Sequence, residues 1–486
     1  MKNLVKKVVM VVFTIFVFIT FANFILHKDQ TSVHRIVALL AVLMAGLFIR
    51  LQALRKKDVE KPGLYLAIIA ILSLVPRIIW VLLVQVVPQS DFYTYHTLAD
   101  ALAQGGLLYP KFISLFPHVL GYSRVLSVVY SIFGTSTVAA VCFNIVLNMG
   151  ILVLIYVLGK YFYDAKTGLV AAAIYAFWPS QIFYNSLVLT EPFFTFGALL
   201  IITAYFFVIK RTEKTAMLLV SFIVLGIALG LLKYIRPASL IILLSILIHF
   251  LLVWQGKTEP REKLLKLYGT RIALCIVLYL SYSITSSICL TGIDRLTGAR
   301  TARNSSGFYI LVGLSQESEG RWNQKDSSLL DPMIEKGMTS DEIQGIFTEQ
   351  GFERLKEMNL LSFIRLQFNK NRHMWGNDSK SINYVQNSIA GSSHINIAKH
   401  SNWLIPISDW YYFVFLLLSC AALFVAKDKL SYDSLVLYLF ILGTVAAHIL
   451  VEVHSRYHYA AVPMLCILAA VVFTRTQYAF GKKRAS

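Results

Sequence analysis

Acidic residues are scarce in this sequence, with 26 Asp and Glu against 45 Lys and Arg, and two of them stand where a carboxylate could do chemistry. Asp91 lies in Pro88-Gln89-Ser90-Asp91-Phe92-Tyr93-Thr94-Tyr95 and Glu191 in Leu189-Thr190-Glu191-Pro192. Each falls in the first turn of a helical pattern, where the peptide dipoles favour an ionised carboxylate. Taken singly, either is explained as a helix cap. Two arginines alter that reading: Arg236 in Tyr234-Ile235-Arg236-Pro237 and Arg456 in His454-Ser455-Arg456-Tyr457-His458-Tyr459. A guanidinium holds phosphate in a fork, and a carboxylate takes a proton from an attacking hydroxyl. Two of each at one membrane face would suit a reaction on an anionic lipid headgroup. Tyr95, Tyr457 and His458 join Arg236 and Arg456 as candidate substrate contacts.

These residues act together only if the chain brings them to one face of a membrane, and the composition requires a membrane. Of 486 residues, 57% are hydrophobic and 15% charged, against roughly 25% charged in soluble domains. An ordinary soluble protein is excluded. Uncharged or nearly uncharged runs fall at 8–26, 36–54, 63–87, 137–159, 167–189, 192–209, 215–232, 237–255, 272–292, 410–426, 434–451 and 457–474. At roughly 20 apolar residues per crossing, these predict about a dozen transmembrane helices. The weakest is 36–54, where Arg50 must snorkel. The net charge of +19 is no sign of nucleic-acid binding, because Lys and Arg collect in the cytoplasmic loops of polytopic proteins. With the N-terminus inside, the clusters Lys2/Lys6/Lys7, Arg50/Arg55/Lys56/Lys57/Lys61, Lys160/Lys166, Lys210/Arg211/Lys214, Lys257/Arg261/Lys263/Lys266/Arg271, Lys427/Lys429 and Arg475/Lys482/Lys483/Arg484 all fall on one side. Both termini are then cytoplasmic, and Asp91, Glu191, Arg236 and Arg456 all lie at the external face. The first run follows three lysines and precedes no small-x-small site, so it reads as an uncleaved span.

Two longer segments interrupt the alternation, both predicted outside. Pro88 to Ser136 contains Phe92, Tyr95, Ala99 and Leu102 at helical spacing, a pattern suited to a helix lying in the interface. Thr291 to Ile405 is nearly charge-balanced, with its clearest helical stretch at Asp341 to Met358, and is long enough for a small, mostly helical domain. The expected organisation is two additional N-terminal spans (1–62), a transmembrane core (63–292) carrying the external loop 88–136, the external domain (293–406), and three C-terminal spans with a basic cytoplasmic tail (407–486). The fold class is an all-α polytopic membrane protein. Arg77 falls about 14 residues, or roughly 21 Å at 1.5 Å per residue, into the third run, where its charge would cost on the order of 3 kcal/mol. It is either a substrate contact or a partner for some group within the bundle. Cys142, Cys275, Cys289, Cys420 and Cys466 all fall in apolar runs without metal-binding spacing. His118, His249 and His448 read as packing residues, and nothing visible requires a metal or a cofactor.

The ordered set of local features carries a resemblance. Asp91, Tyr95, Leu98-Ala99 and Gly105-Gly106 are followed by Gly121-Tyr122, Phe133-Gly134, Leu158-Gly159-Lys160-Tyr161-Phe162, Trp178-Pro179, Leu189-Thr190-Glu191, Gly230 through Arg236-Pro237, and Arg456-Tyr457 with Pro463. Over roughly residues 63 to 474 this resembles the GT-C membrane glycosyltransferases, and within them family 39, the protein O-mannosyltransferase and aminoarabinose-transferase group. Where members of that family often have Asp-Glu, this chain has Asp91-Phe92. The resemblance implies inverting transfer of a sugar from a polyprenyl-phosphate donor to an acceptor glycan, lipid or protein at the external face. Asp91 would then be the base, Glu191 a second acidic residue positioning acceptor or sugar, and Arg236 with Arg456 the phosphate clamp. A flippase or transporter of lipid-linked saccharides, and a polymerase or ligase of lipid-linked glycans, are the alternatives. The orientation has a direct check: a cysteine introduced at Ser90 should react with an impermeant thiol reagent from outside the cell, and one at Lys263 should not. The reverse pattern would move the site to the cytoplasmic face.

Overall fold

The computed structural model describes residues 2–27, 31–54, 59–211, 214–254, 261–425 and 430–481. The basic positions 55–57, 257, 427, 429 and 482–484 lie outside them. The regular structure of the described residues is all helix, apart from one isolated antiparallel bridge between Val86 and Ile389. Among the described residues, eight helices are long and apolar enough to cross a membrane: Lys2–Leu26, Pro62–Leu83, Thr137–Phe162, Glu191–Arg211, Thr215–Leu232, Tyr268–Thr297, Ile397–Val425 and Ser455–Arg475. Four shorter apolar helices, Ser32–Phe48, Ala165–Ala176, Ser239–Val253 and Leu435–Ala447, take up the remaining apolar runs.

One of those runs is not a single helix. The stretch 167–189 breaks after Ala176, and Trp178-Pro179 starts a separate short helix, Pro179–Tyr184. Proline lacks the amide that would continue the ladder. Beyond it, Ser180, Gln181, Asn185 and Ser186 are all buried and bond elsewhere: Asn148 Nδ2 donates to Asn185 Oδ1 at 3.1 Å, and Ser180 Oγ donates to the Asp378 carbonyl at 2.6 Å. Arg77 is tied to the same break. Its Nη1 donates to Ser73 O at 2.6 Å and to Ala176 O at 2.8 Å, the latter an orphan carbonyl at a helix end. Fully buried, Arg77 thus joins two helices through its Nη1, away from Asp91 and its arginines.

The segment 84–136 forms three helices, Asp91–Ala103, Pro110–Leu115 and His118–Phe133. Phe92, Tyr95, Leu98 and Ala99 are buried, close to the apolar face expected from spacing. The second long segment, 298–396, packs around Ser340–Glu357, whose start is fixed by a capping box: Thr339 accepts from the Glu342 amide while the Glu342 carboxylate accepts from the Thr339 amide. Arg354 grips Asp326 with two hydrogen bonds, at 2.9 and 2.6 Å, and donates to Leu311 O at 2.7 Å. The segment is closely applied to the bundle, since Lys370 Nζ donates to Ile449 O at 3.0 Å and Gln344 Nε2 to Leu115 O at 3.2 Å.

Glycines set the closest approaches. A Cβ on Gly159 would lie 2.7 Å from Gly168 Cα, and one on Gly121 would overlap the Tyr234 carbonyl, fixing His118–Phe133 against the turn that precedes Arg236. Small residues allow such contacts where apolar surface alone gives helices no drive to associate in lipid. Gly121→Val should therefore destabilise the protein by about 1–3 kcal/mol through overpacking, read as a lower thermal unfolding midpoint in detergent. Gly46→Val, which meets nothing within 4 Å, should leave the midpoint unchanged.

Candidate active site

Asp91, Glu191, Arg236 and Arg456 converge. Each is delivered by an element end. After the helix ending at Leu83, residues 85–87 pair with 388–390, as Val87 N donates to Ser388 O at 2.7 Å and Ala390 N to Gln85 O at 2.9 Å. The chain then reverses at Ser90, which has a φ of 51°, a left-handed conformation uncommon for a residue with a side chain, and Asp91 opens the next helix. Glu191 opens Glu191–Arg211, Arg236 sits in the turn between Thr215–Leu232 and Ser239–Ile248, and Arg456 sits in the 3₁₀ turn Ser455–Ala461.

The four form a chain of ion pairs. Arg236 pairs with Glu191 and Arg456 pairs with Asp91, while Arg456 Nε lies 3.6 Å from Glu191 Oε1. Thr190 Oγ1 donates to Glu191 Oε2 at 3.2 Å and lies 3.4 Å from Arg236 Nη1. Aromatic rings line the guanidiniums: Arg236 is 5.0 Å from the Tyr457 ring centroid, and Arg456 is 5.6, 5.9 and 6.0 Å from those of Phe92, Tyr384 and Tyr457. Tyr95, one turn after Asp91, is buried with its ring edge-on to Tyr122 at 5.4 Å.

Exposure separates the two carboxylates. The Asp91 side chain is 48% exposed and that of Glu191 is 4%. Glu191 is thus enclosed by its arginines, whereas Asp91 faces open space. Desolvation pushes the Asp91 carboxyl upward, but the Arg456 guanidinium beside it prevails and holds it below the usual range. His454, pushed down to about 3 by desolvation and by Arg456, stays neutral and shares a 2.8 Å hydrogen bond between Nδ1 and the Tyr384 hydroxyl.

One acidic residue near this cluster escapes the sequence reading. Glu452, buried four residues before Arg456, is pushed up to about 7 by desolvation, with Arg456 pulling the other way and Asp91 adding to the rise. Its signal in the sequence is a lone carboxylate at the end of the apolar run 434–451. Among the described residues no group of three or more His, Cys, Asp or Glu side chains could hold a metal ion, and each site carboxylate already has a guanidinium partner.

His458, expected as a substrate contact, lies apart from the ion-pair cluster. It is buried between the Trp375 and Tyr412 rings, nearly parallel to both, with centroids at 5.8 and 5.0 Å. Its Nδ1–H donates to Met374 O at 2.5 Å, and Nε2 shares a proton with Asp378 Oδ1 at 2.9 Å. Asp378 also accepts from Trp178 Nε1 at 2.6 Å, and its amide donates to Asp409 at 2.8 Å. This buried knot holds the turn that carries Arg456.

With the geometry in place, comparison with known proteins adds the following. Residues 118–282, which include Glu191 and Arg236, match the family described as dolichyl-phosphate-mannose-protein mannosyltransferase, and over that stretch they confirm the glycosyltransferase resemblance. No curated protein matches. Among solved structures, the Archaeoglobus fulgidus oligosaccharyltransferase AglB in complex with an inhibitory peptide and a dolichol-phosphate superposes with a TM-score of 0.48 at 14% identity, covering 88% of this chain and 51% of that one. The same enzyme with zinc and sulfate gives 0.46, 14%, 87% and 51%. ArnT from Cupriavidus metallidurans, bound to undecaprenyl phosphate, gives 0.33 at 10% identity, covering 86% and 78%. The chain spans about half the length of the oligosaccharyltransferase.

Breaking the Asp378 knot tests its structural role. Asp378→Ala leaves Trp178 Nε1 and His458 Nε2 without their partner and should cost about 3–5 kcal/mol, as for a buried pair deprived of one partner, measured by thermal unfolding in detergent. His458→Asn, whose amide can replace the Nδ1–H donor, should cost less.

Proposed function

We propose that this chain is an integral membrane glycosyltransferase that moves a sugar from a polyprenyl-phosphate-linked donor to an acceptor hydroxyl, at the face of the membrane that carries Asp91. The observation that supports this most is the pairing of an exposed carboxylate, Asp91, with Arg456, whose second neighbour is the buried Glu191. In the transfer, the acceptor oxygen attacks the anomeric carbon and its proton passes to Asp91. The bond between that carbon and the phosphate oxygen breaks, and the lipid phosphate leaves as an anion. Arg456, at rest on Asp91, can turn to that phosphate and so free the base as the donor binds. Glu191, enclosed by Arg236 and Arg456, is better placed to hold the arginines than to touch the acceptor.

A groove of about 880 Å³, whose lining includes the two residues before Arg236, supports the lipid part of this reading. It is lined mainly by apolar residues, among them Leu120, Phe193 and Ile235, and runs between His118–Phe133, Glu191–Arg211, Thr215–Leu232 and Arg261–Thr297. Tyr234 and Ile235 in its lining directly precede Arg236, so a prenyl chain in the groove could bring its phosphate toward that arginine. Arg124 and Arg295 also line it and add positive charge for that phosphate. The match of residues 118–282 to a mannosyltransferase family points to the same reaction class. On this reading the site is external and both termini are cytoplasmic. The acceptor is a glycan, a lipid or a protein.

Replacing Asp91 by Asn keeps its size but removes the proton acceptor, so turnover should fall by about 10²–10⁴. Donor affinity should hold or tighten, because Arg456 loses its resident carboxylate. Arg456→Lys should weaken donor binding, since a point charge does not reproduce a guanidinium fork. The measurement is transfer in proteoliposomes supplied with the lipid-linked sugar that accumulates, by mass spectrometry, in cells lacking the protein. Full turnover by Asp91→Asn would dismiss it as the base, and normal donor affinity in Arg456→Lys would dismiss the clamp.

A further inference from the structure

The helix Leu360–Met374, in the segment between Tyr268–Thr297 and Ile397–Val425, has two unlike faces. Leu366, Lys370 and Met374 are buried at successive helical repeats, and Lys370 Nζ donates to Gly313 O at 2.8 Å and Ile449 O at 3.0 Å. On the other side, Leu360 and Leu361 are each 75% exposed, Ile364 42% and Phe368 43%. At this spacing the four share one face. Water is a poor medium for such a stripe.

The attachment of the helix shows what covers that face. Asn23 Nδ2 donates to Phe368 O at 3.2 Å and to Asn371 Oδ1 at 3.0 Å, and Asn371 Nδ2 donates to the Thr20 hydroxyl at 3.0 Å. Thr20 and Asn23 belong to the first helix, Lys2–His27, which continues for seven residues past Thr20, or about 10 Å at 1.5 Å per residue. The C-terminal half of Leu360–Met374 therefore lies below the site-side end of a helix apolar enough to span the membrane. The first helix also exposes apolar side chains on either side of this attachment, Phe18 at 73% and Leu26 at 76%.

We infer that Leu360, Leu361, Ile364 and Phe368 enter the bilayer leaflet on the side of the active site, and that Leu360–Met374 is an interfacial helix whose partner is lipid. Arg365, exposed beside the stripe, is placed to meet phosphate headgroups, as basic residues at the edge of such helices do. The opposite face of the same helix holds Ile449 through Lys370, seven residues before Arg456. Contact with lipid and support of the site are thus borne by one helix.

Spin labels on the full chain in phosphatidylcholine–phosphatidylglycerol vesicles test this, with Cys142, Cys289 and Cys420 replaced by Ala and the signal of that background subtracted. At Leu361→Cys and at Ile364→Cys, collisions with oxygen, which concentrates among acyl chains, should exceed collisions with a water-soluble nickel chelate several-fold. At Glu353→Cys, exposed on the preceding helix, the order should reverse. Preferential access of the nickel chelate at both stripe positions would place them in water and overturn the inference. Low access of both probes would mean that protein, a second copy included, covers the face, and would overturn it equally.

Discussion

The Glu191 carboxylate, with 4% of its side chain exposed, is the constraint on which the site depends. An ionised carboxylate removed from water is costly unless it is paired and hydrogen-bonded. Glu191 is satisfied by Arg236 and Thr190, with Arg456 within 3.6 Å. Those groups come from a turn about 45 residues later in the chain and from another near its end, so the charge can be accommodated only when both turns are in place. Arg456 then needs a second anion, and Asp91 supplies it. Two positive and two negative groups close a neutral cluster with one accessible member, the carboxylate that can leave its partner.

The path leading to Glu191 is held by polar residues inside the bundle. Tyr175 and Tyr459 hydroxyls donate to Asn148 Oδ1 at 2.6 and 3.0 Å, Asn148 Nδ2 donates to Asn185 Oδ1 at 3.1 Å, and Asn144 Nδ2 donates to Leu187 O at 3.0 Å. Away from water such groups find partners only in one another or in the backbone. The network therefore fixes a non-helical stretch, 185–190, that would otherwise leave backbone groups unpaired at depth. Arg77 caps Ala176 O, at the end of the helix Ala165–Ala176 that precedes it. A charge that the sequence places deep in an apolar helix is thus used to end a neighbouring one.

The segment 298–396 acts as part of the site's frame. Lys370 grips Ile449, Glu452 N donates to Tyr309 O at 2.8 Å, Val453 N donates to Gly320 O at 2.9 Å, and His458 is locked to Met374 and Asp378. The ten residues from Ile449 to His458, Arg456 among them, are fastened to this segment at five of their residues, Ile449, Glu452, Val453, His454 and His458. Burial lowers the Lys370 ammonium to about 7, which is the cost of placing an amine where it can bind two carbonyls at once.

What the sequence by itself determined was set by local chemistry. Runs of apolar residues determined where helices form, the placement of Lys and Arg gave the expected orientation, and Asp91, Glu191, Arg236 and Arg456 were marked as polar groups at the ends of such runs. The approximate face of the helix at Asp91 followed from spacing alone, and the helix from about residue 341 from its helical pattern, while the Thr339–Glu342 box that starts it was seen only in the structure. Only the tertiary structure decided which charges meet. His458 and Arg456 are two residues apart and read alike, yet one turns to Asp378, 80 positions away, and the other to Asp91, 365 away. Arg77 gave no sign of its carbonyl partner, Glu452 none of its proximity to Arg456, and the apolar run 167–189 concealed a break whose buried polar groups find their partners on other helices. Side-chain type and spacing fix a helix and its faces because those depend on neighbours within a turn or two. The partner of a buried charge is chosen by whichever distant backbone or side chain packs against it.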